Sequence, residues 1–366
     1  MMKIPMTPPF DERDTIFARL SLQPGSRAYR TFYRRRPHWR VEDDRLRTNG
    51  GLLRLMIRQG LTEAELQAFV AVGKLHLLNR VYECFPALRR LLLPFWRGFF
   101  SRLVDRLPER NRVECLSNDS DRLIGEWVQL EQQTVSATRR TQLSAEVLAI
   151  HIKEVTRLYG ASLVGITSMR QDFYYSHHRN GRPVNSDLPF AIVFAVEMSR
   201  SRISQAPSEK AMLTTSMGYL DAAAVGARLS MHLKALGGKT FVNHVMSYNA
   251  PLAPLAEAAG IGQIGRSNVL VTREFGSRIR LGAVMTDLAL IPDQPRDHGI
   301  REFCRKCGAC ARQCPGKAIS GGEAREYSGR FGWPFNEQAC FGQWQEFLTD
   351  CGICLAVCPF SRGRSA

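Results

Sequence analysis

At 366 residues, 44% of them hydrophobic, the chain is long enough for two or three domains and has an ordinary globular composition. The formal net charge is +16, and the arginines are scattered rather than set in a stripe with aromatics. That pattern points to acidic redox partners or an anionic cofactor; nucleic acid is not expected. The longest greasy stretch, Leu88–Phe100, is broken by Arg89, Arg90, Pro94 and Arg97, so no transmembrane segment is expected. Met1–Phe10 lacks a charged-then-apolar leader, and Arg34-Arg35-Arg36 runs into Pro37 rather than an apolar stretch, so a cytoplasmic location is expected.

Residues 1–142 read as an Arg-rich, helical or irregular region packing on the core, with a turn at Gln23-Pro24-Gly25-Ser26 and a helix candidate at Thr62–Leu78. Residues 143–295 form the second unit. Ser144 is placed to cap an amphipathic helix with Val147, Leu148, Ile150, Ile152, Val155 and Leu158 inward and Gly160 as its stop. Strands are expected at Ser162–Ile166 and Phe190–Met198, the second so apolar that it should be central. A long helix should run from Gly218 to Leu236 and end at Gly237-Gly238. Lys239–Val245 reads as a strand, Pro251–Ala259 as a helix, and Asn268–Thr272 and Arg280–Leu288 as strands, making an α/β sandwich. Ile291–Gly299 then links to a third unit, residues 296–366.

Eight of the ten cysteines lie in that third unit. Cys304, Cys307, Cys310 and Cys314-Pro315 have the spacing of bacterial two-cluster ferredoxins, in which the fourth cysteine ligates the other cluster. Cys351, Cys354 and Cys358-Pro359 repeat the ending, with Cys340 as a displaced first member. This assigns Cys304, Cys307, Cys310 and Cys358 to one [4Fe–4S] cluster, and Cys314, Cys340, Cys351 and Cys354 to a second. Zinc fits poorly, because it wants paired ligands closing sets of four. A disulfide framework belongs to short secreted domains. Cys84 and Cys115 read as ordinary thiols.

Gly260-Ile261-Gly262-Gln263-Ile264-Gly265-Arg266 follows a helix rather than a strand, so a dinucleotide loop is rejected. Gly260, Gly262, Gly265 and Arg266 are instead expected to bring the chain against a flat, bulky cofactor.

Pro251 to Arg266, Glu274 to Leu281 and Thr286-Asp287-Leu288 resemble the cobalamin-dependent reductive dehalogenases. Asp293-Gln294-Pro295 running into the first cysteine run, Cys340-Phe341 with Trp344, and Phe10 to Arg19 extend the likeness. The sister family is the epoxyqueuosine reductases, which act on transfer RNA and resemble residues 239–315 in outline. An acidic residue is expected there at the position aligned with Asn243, and apolar residues where this chain has Arg278 and Arg280.

The resemblance implies an α/β (α+β) corrinoid-binding core of nitroreductase-like type with a C-terminal two-cluster ferredoxin-like module. The implied cofactors are a base-off cobalamin and two [4Fe–4S] clusters. The implied reaction is reductive cleavage of a carbon–halogen bond of an organohalide, fed by a separate low-potential donor of ferredoxin or flavodoxin type. Tyr219 is the implied proton donor, since a phenol of ordinary pKa about 10 is protonated at neutral pH. Arg278 or Arg280 would stabilise its phenolate, the two sharing one strand face, and Asn243 would hydrogen-bond substrate or halide. His177 and His178 lie in a loop at a substrate entrance or in a surface turn; neither His232 nor His244 is given a metal role. Two other readings stay open: RNA modification, and a non-catalytic electron carrier, to which the short stretch after Cys358 lends weight.

Overall fold

The computed structural model describes residues 10–49 and 123–363, apart from 128, 130, 246, 328 and 329. The helix expected at Thr62–Leu78, the apolar stretch at Leu88–Phe100, Cys84 and Cys115 lie outside the described residues.

The central unit is built on a four-stranded sheet: β1 (Leu163–Ser168), β2 (Phe190–Glu197), β6 (Ile279–Thr286) and β3 (Thr240–Asn243), in that spatial order. Every pairing is antiparallel, with Gly165 opposite Val193, Phe194 opposite Gly282, and Asn243 opposite Ala283. β2 is buried on both faces over Ala191–Val196, which is why it reads as one apolar run. One face, with Val193 and Met285, packs on Leu255 and Ala256 of a helix described below; the other, with Ile192 and Phe194, packs on two longer helices.

The first of these is α4 (Ala145–Leu158), following α1 (Ile16–Leu20), α2 (Arg27–Arg35) and α3 (Arg40–Thr48) of the N-terminal region. Ser144 caps α4 by accepting the Val147 amide hydrogen, and Gly160 stops it at φ +115°. Its buried stripe is Leu148, Ala149, Ile152 and Thr156. Val147, Ile150 and Leu158, expected inward, are 52%, 61% and 84% exposed. One 3.6-residue period cannot turn both sets of apolar residues to the same side, and the sheet takes the one containing Ile152.

The second is α5 (Glu209–Ala235), which starts nine residues before the Gly218 expected from sequence, with Ser208 accepting the Ala211 amide hydrogen. Tyr219 therefore sits inside the helix rather than at its start. The strands agree with expectation to within a few residues, except that Asn268–Thr272 shrinks to β5 (Leu270–Val271), paired with β4 (Gln263–Ile264). The helix after Pro251 is α6 (Leu252–Ala258).

The C-terminal unit holds α7 (Ile300–Cys307), α8 (Ala309–Arg312), a hairpin of β7 (Arg325–Tyr327) and β8 (Arg330–Gly332), α9 (Glu337–Phe347) and α10 (Ile353–Ala356). The N-terminal region packs on this unit as well as on the central one. Phe17 meets Phe341 and Trp344, the Glu337 carboxylate accepts the Ile16 amide hydrogen, and Gln338 donates to Asp43. The same region meets the central unit at a loop, where Phe10 bridges Tyr175 and Glu12 binds Arg179, and along the end of α5, where Glu131 pairs with Lys234.

Candidate functional site

Tyr219 lies half-buried on α5, facing the start of β6. The guanidinium of Arg280 stacks on its ring, with Cζ 4.2 Å from the centroid, and donates from Nη1 to the phenol oxygen at 3.2 Å. Gly218 makes this approach feasible. A Cβ there would lie 3.2 Å from the Arg280 Cβ and 3.3 Å from the Met198 Cγ. A mid-helix glycine costs about 1 kcal/mol against alanine, and here it lets helix and strand meet. Arg280 also donates to the Met198 sulfur at 3.7 Å, while its buried Nε has no hydrogen-bond partner.

Asn243, at the end of β3, is 1% exposed. Its Oδ1 accepts the Asn249 amide hydrogen at 2.8 Å, which fixes the amide orientation and leaves Nδ2 buried without a partner. Asn249 in turn accepts from the Tyr175 backbone N–H at 2.8 Å. These links pin the loop carrying Tyr248. Burial raises the Tyr248 hydroxyl's pKa, with Tyr219 adding to the shift and Arg280 opposing it, so the two phenols and the guanidinium share one neighbourhood. Burial likewise raises Tyr175. Sequence reasoning missed Tyr248 and Tyr175 as site residues. The one available signal for Tyr248 was its spacing from Asn243 across a turn whose shape is set by the Asn243–Asn249 bond.

Arg278 does not join this group. It precedes β6 by one residue and turns to the Glu197 carboxylate, the Ser361 carbonyl at 2.9 Å and the Met198 carbonyl at 3.1 Å. The expectation that Arg278 and Arg280 share a strand face fails because only Arg280 lies within the strand.

The glycine loop also differs from expectation. A Cβ on Gly260 would strike the Gln294 carbonyl at 2.6 Å, and one on Gly262 the Val271 carbonyl at 2.3 Å. The chain itself fills the space expected for a flat cofactor. Gly265 packs on the Val271 side chain, and a Cβ there would sit 3.4 Å from the Cys304 sulfur. Arg266 is buried, stacks on Trp333, and donates to the carbonyls of Cys304, Arg305, Ser320 and Gly322. It clasps the cysteine-bearing unit to the core.

Cys304, Cys307, Cys310, Cys354 and Cys358 line one recess with Phe303, Phe360 and Val271. Gly308 and Gly352, the residues after Cys307 and Cys351, both take φ near +60° and turn the chain so that Cys310 and Cys354 point back. Cys304 and Cys310 feel Cys358, Cys340 feels Cys351 and Cys314, and Cys354 feels Cys310 as well as Cys340, Cys351 and Cys314. Burial pushes Cys310 and Cys340 up to about 12 and raises Cys304, Cys351 and Cys354. Buried thiols that would repel one another once ionised suit a positive metal centre among them, which is what an iron–sulfur cage supplies. Among the described residues, no three His, Cys, Asp or Glu groups are close enough to hold a single ion. A cubane spreads its ligands over the corners of a larger cage and has no such requirement.

A 4Fe-4S dicluster domain profile matches residues 303–361, so the C-terminal unit is an iron–sulfur module. The chain is similar to the tetrachloroethene reductive dehalogenase of Sulfurospirillum multivorans, with 32% identity over 258 residues covering 59% of this chain and 51% of that one. Similarity to the epoxyqueuosine reductase of Lactococcus garvieae is shorter: 32% over 124 residues, 30% of this chain and 31% of that one. Among solved structures, the catabolic reductive dehalogenase NpRdhA superposes with a TM-score of 0.62 at 23% identity, covering 68% of this chain and 38% of that one. The resemblance to the reductive dehalogenases is thus borne out in sequence and in fold. The chain spans about half the length of the reductive dehalogenase it matches. Among the described residues no helix is long and apolar enough to cross a membrane.

Proposed function

We propose that the chain carries the reaction centre of a cobalamin-dependent reductive dehalogenase. The reaction takes an organohalide, two electrons and a proton to the hydrocarbon and a halide ion. The single observation that carries this reading is Arg280 stacked on and hydrogen-bonded to Tyr219. A phenol held this way gives its proton to a carbanion-like carbon, and the guanidinium stabilises the phenolate left behind. Asn243 Nδ2 and Arg280 Nε, two buried donors without acceptors, fit a ligand that brings acceptors of its own. Asn243 binds the substrate or the departing halide.

A base-off cobalamin, if bound in this core of nitroreductase-like type, would supply low-potential electrons. Arg280, Asn243 and Tyr219 are the residues that would face it. Cys304, Cys307, Cys310 and Cys358 hold the nearer [4Fe–4S] cluster, and Cys314, Cys340, Cys351 and Cys354 the second. Arg266 and Gly265 keep the first cluster against the core rather than holding the corrinoid. The chain divides into residues 1–142, 143–295 and 296–366, and a cytoplasmic ferredoxin or flavodoxin would be its electron donor.

The test is halide release from a brominated or chlorinated phenol by anaerobic protein reconstituted with cobalamin and a strong reductant. Tyr219→Phe is expected to lower turnover by about 10²- to 10⁴-fold while cluster absorbance is unchanged. Full turnover in that variant refutes the proton-donor role.

A further inference from the structure

A cleft of about 1020 Å³ lies between the turn after β2 and the last turn of the iron–sulfur unit. Its polar wall is made by Arg200, Arg278, Arg362, Ser199, Ser201 and Ser361. Glu197 is the one carboxylate on that wall, and it is held by Arg278. Arg200 and Arg362 line the cleft without an ion-pair partner among the described residues, Arg362 donating from Nε to the Ala356 carbonyl at 3.0 Å. The Arg200 guanidinium reaches the chain beside Arg362: a Cβ on Gly363, the next residue, would lie 3.1 Å from Arg200 Nη1. Ile203, Leu355 and Ala356 give the same cleft an apolar side. Two unneutralised guanidinium forks beside hydroxyls suit a phosphate, and the apolar side suits a flat ring next to it. The volume is at the upper end of what small-molecule sites offer.

We infer that this cleft binds a nucleotide phosphate, with Arg200 and Arg362 as the phosphate-binding pair. Two sources share that chemistry: a free nucleotide, and the nucleotide tail of a corrinoid. Only the second rests on the function proposed above. Leu355 and Ala356 lie between Cys354 and Cys358, so an occupant of either kind touches the short segment joining the two sets of cluster cysteines.

The experiment is calorimetric titration of the anaerobic, cluster-loaded protein with AMP, with cobalamin and with cobinamide, which lacks the nucleotide tail. Wild type is compared with Arg200→Gln/Arg362→Gln at low and high salt. For the true ligand, the double variant is expected to lose about tenfold to a hundredfold in affinity, as charge-assisted bonds to phosphate would require, and wild-type binding should weaken with salt. Loss of AMP binding alone identifies a free nucleotide. Loss of the preference for cobalamin over cobinamide identifies the tail. If wild type binds no AMP and favours neither corrinoid, or if the variant changes neither, the inference is overturned. Cluster absorbance reports folding, and the exposed single change Arg200→Gln replaces the double variant if that signal is lost. A failure of the dehalogenation reading would show in turnover and leave the AMP titration untouched.

Discussion

Replacing Arg280 by methionine isolates the interaction on which the proposed chemistry turns. In the ground state the guanidinium meets a neutral phenol, a cation–π contact worth about 1–2 kcal/mol at a half-buried site. When the phenol has given up its proton, unit charges about 4 Å apart attract by about 4 kcal/mol at an effective dielectric of about 20. The 4.2 Å ring distance and the 3.2 Å hydrogen bond put the pair at that separation. The difference, about 2–3 kcal/mol, exists only once charge develops, so it appears in kcat as a loss of about 30- to 150-fold with little change in KM. Methionine fills the space beside Met198 without the charge. The assay is steady-state halide release in wild type, Arg280→Met, Tyr219→Phe and the double variant. If arginine acts through the phenol, the double variant is no slower than Tyr219→Phe. Multiplying losses would refute the reasoning, as would an Arg280→Met enzyme within threefold of wild type.

Three further outcomes follow from the packing. Asp43→Ala should cost about 3 kcal/mol in urea unfolding, because it leaves Arg19, fully buried like its partner, with only the 3.6 Å pairing to Glu337, and frees Gln338 in the helix of Cys340; a loss below about 1 kcal/mol would contradict this. Burial holds His244 down to about 4 from an ordinary 6.5, so below pH 6.5 the unfolded chain takes up a proton the folded chain refuses. Stability should therefore fall between pH 6.5 and 4, and His244→Gln should flatten that slope in thermal melts. Gly276→Ala places a Cβ 2.2 Å from the Ser361 amide nitrogen at φ +60°, so it should shift the turn after Cys358 and lower the iron content of purified protein.

The cysteine spacing was legible because cluster ligation is local: three thiols with two residues between each, and a proline turn, are properties of a short peptide. The sheet strands were legible for a similar reason, since β2 is apolar along its whole buried length. Pairing was not, because an antiparallel order with β6 between β2 and β3 leaves no periodic trace. The start of α5 was missed at Gly218, where glycine reads as a boundary. Its true cause is the close passage of Arg280, a contact between residues 62 positions apart.

The same contrast explains the two arginines. Along an extended strand, Arg278 and Arg280 project to one side, and nothing in the local sequence separates them. What separates them is where β6 begins, and that is set by partners far away. Ile279 pairs with Glu197, while Arg278 is drawn off by that same carboxylate and by Ser361 in the last turn of the chain. Arg278 thus ties the core to the turn that follows Cys358, and Arg280, two residues on, is left with Tyr219. A carboxylate at the end of β2 therefore divides the labour. Glu197→Gln, which removes that attraction, is expected to loosen Arg278 from the Cys358 turn while leaving the 3.2 Å Arg280–Tyr219 bond in place, so cluster retention should suffer before proton transfer does. Iron content measured beside single-turnover halide release distinguishes the two, and a variant that keeps its iron but loses the proton-transfer step would show that Arg278 belongs to the reaction after all.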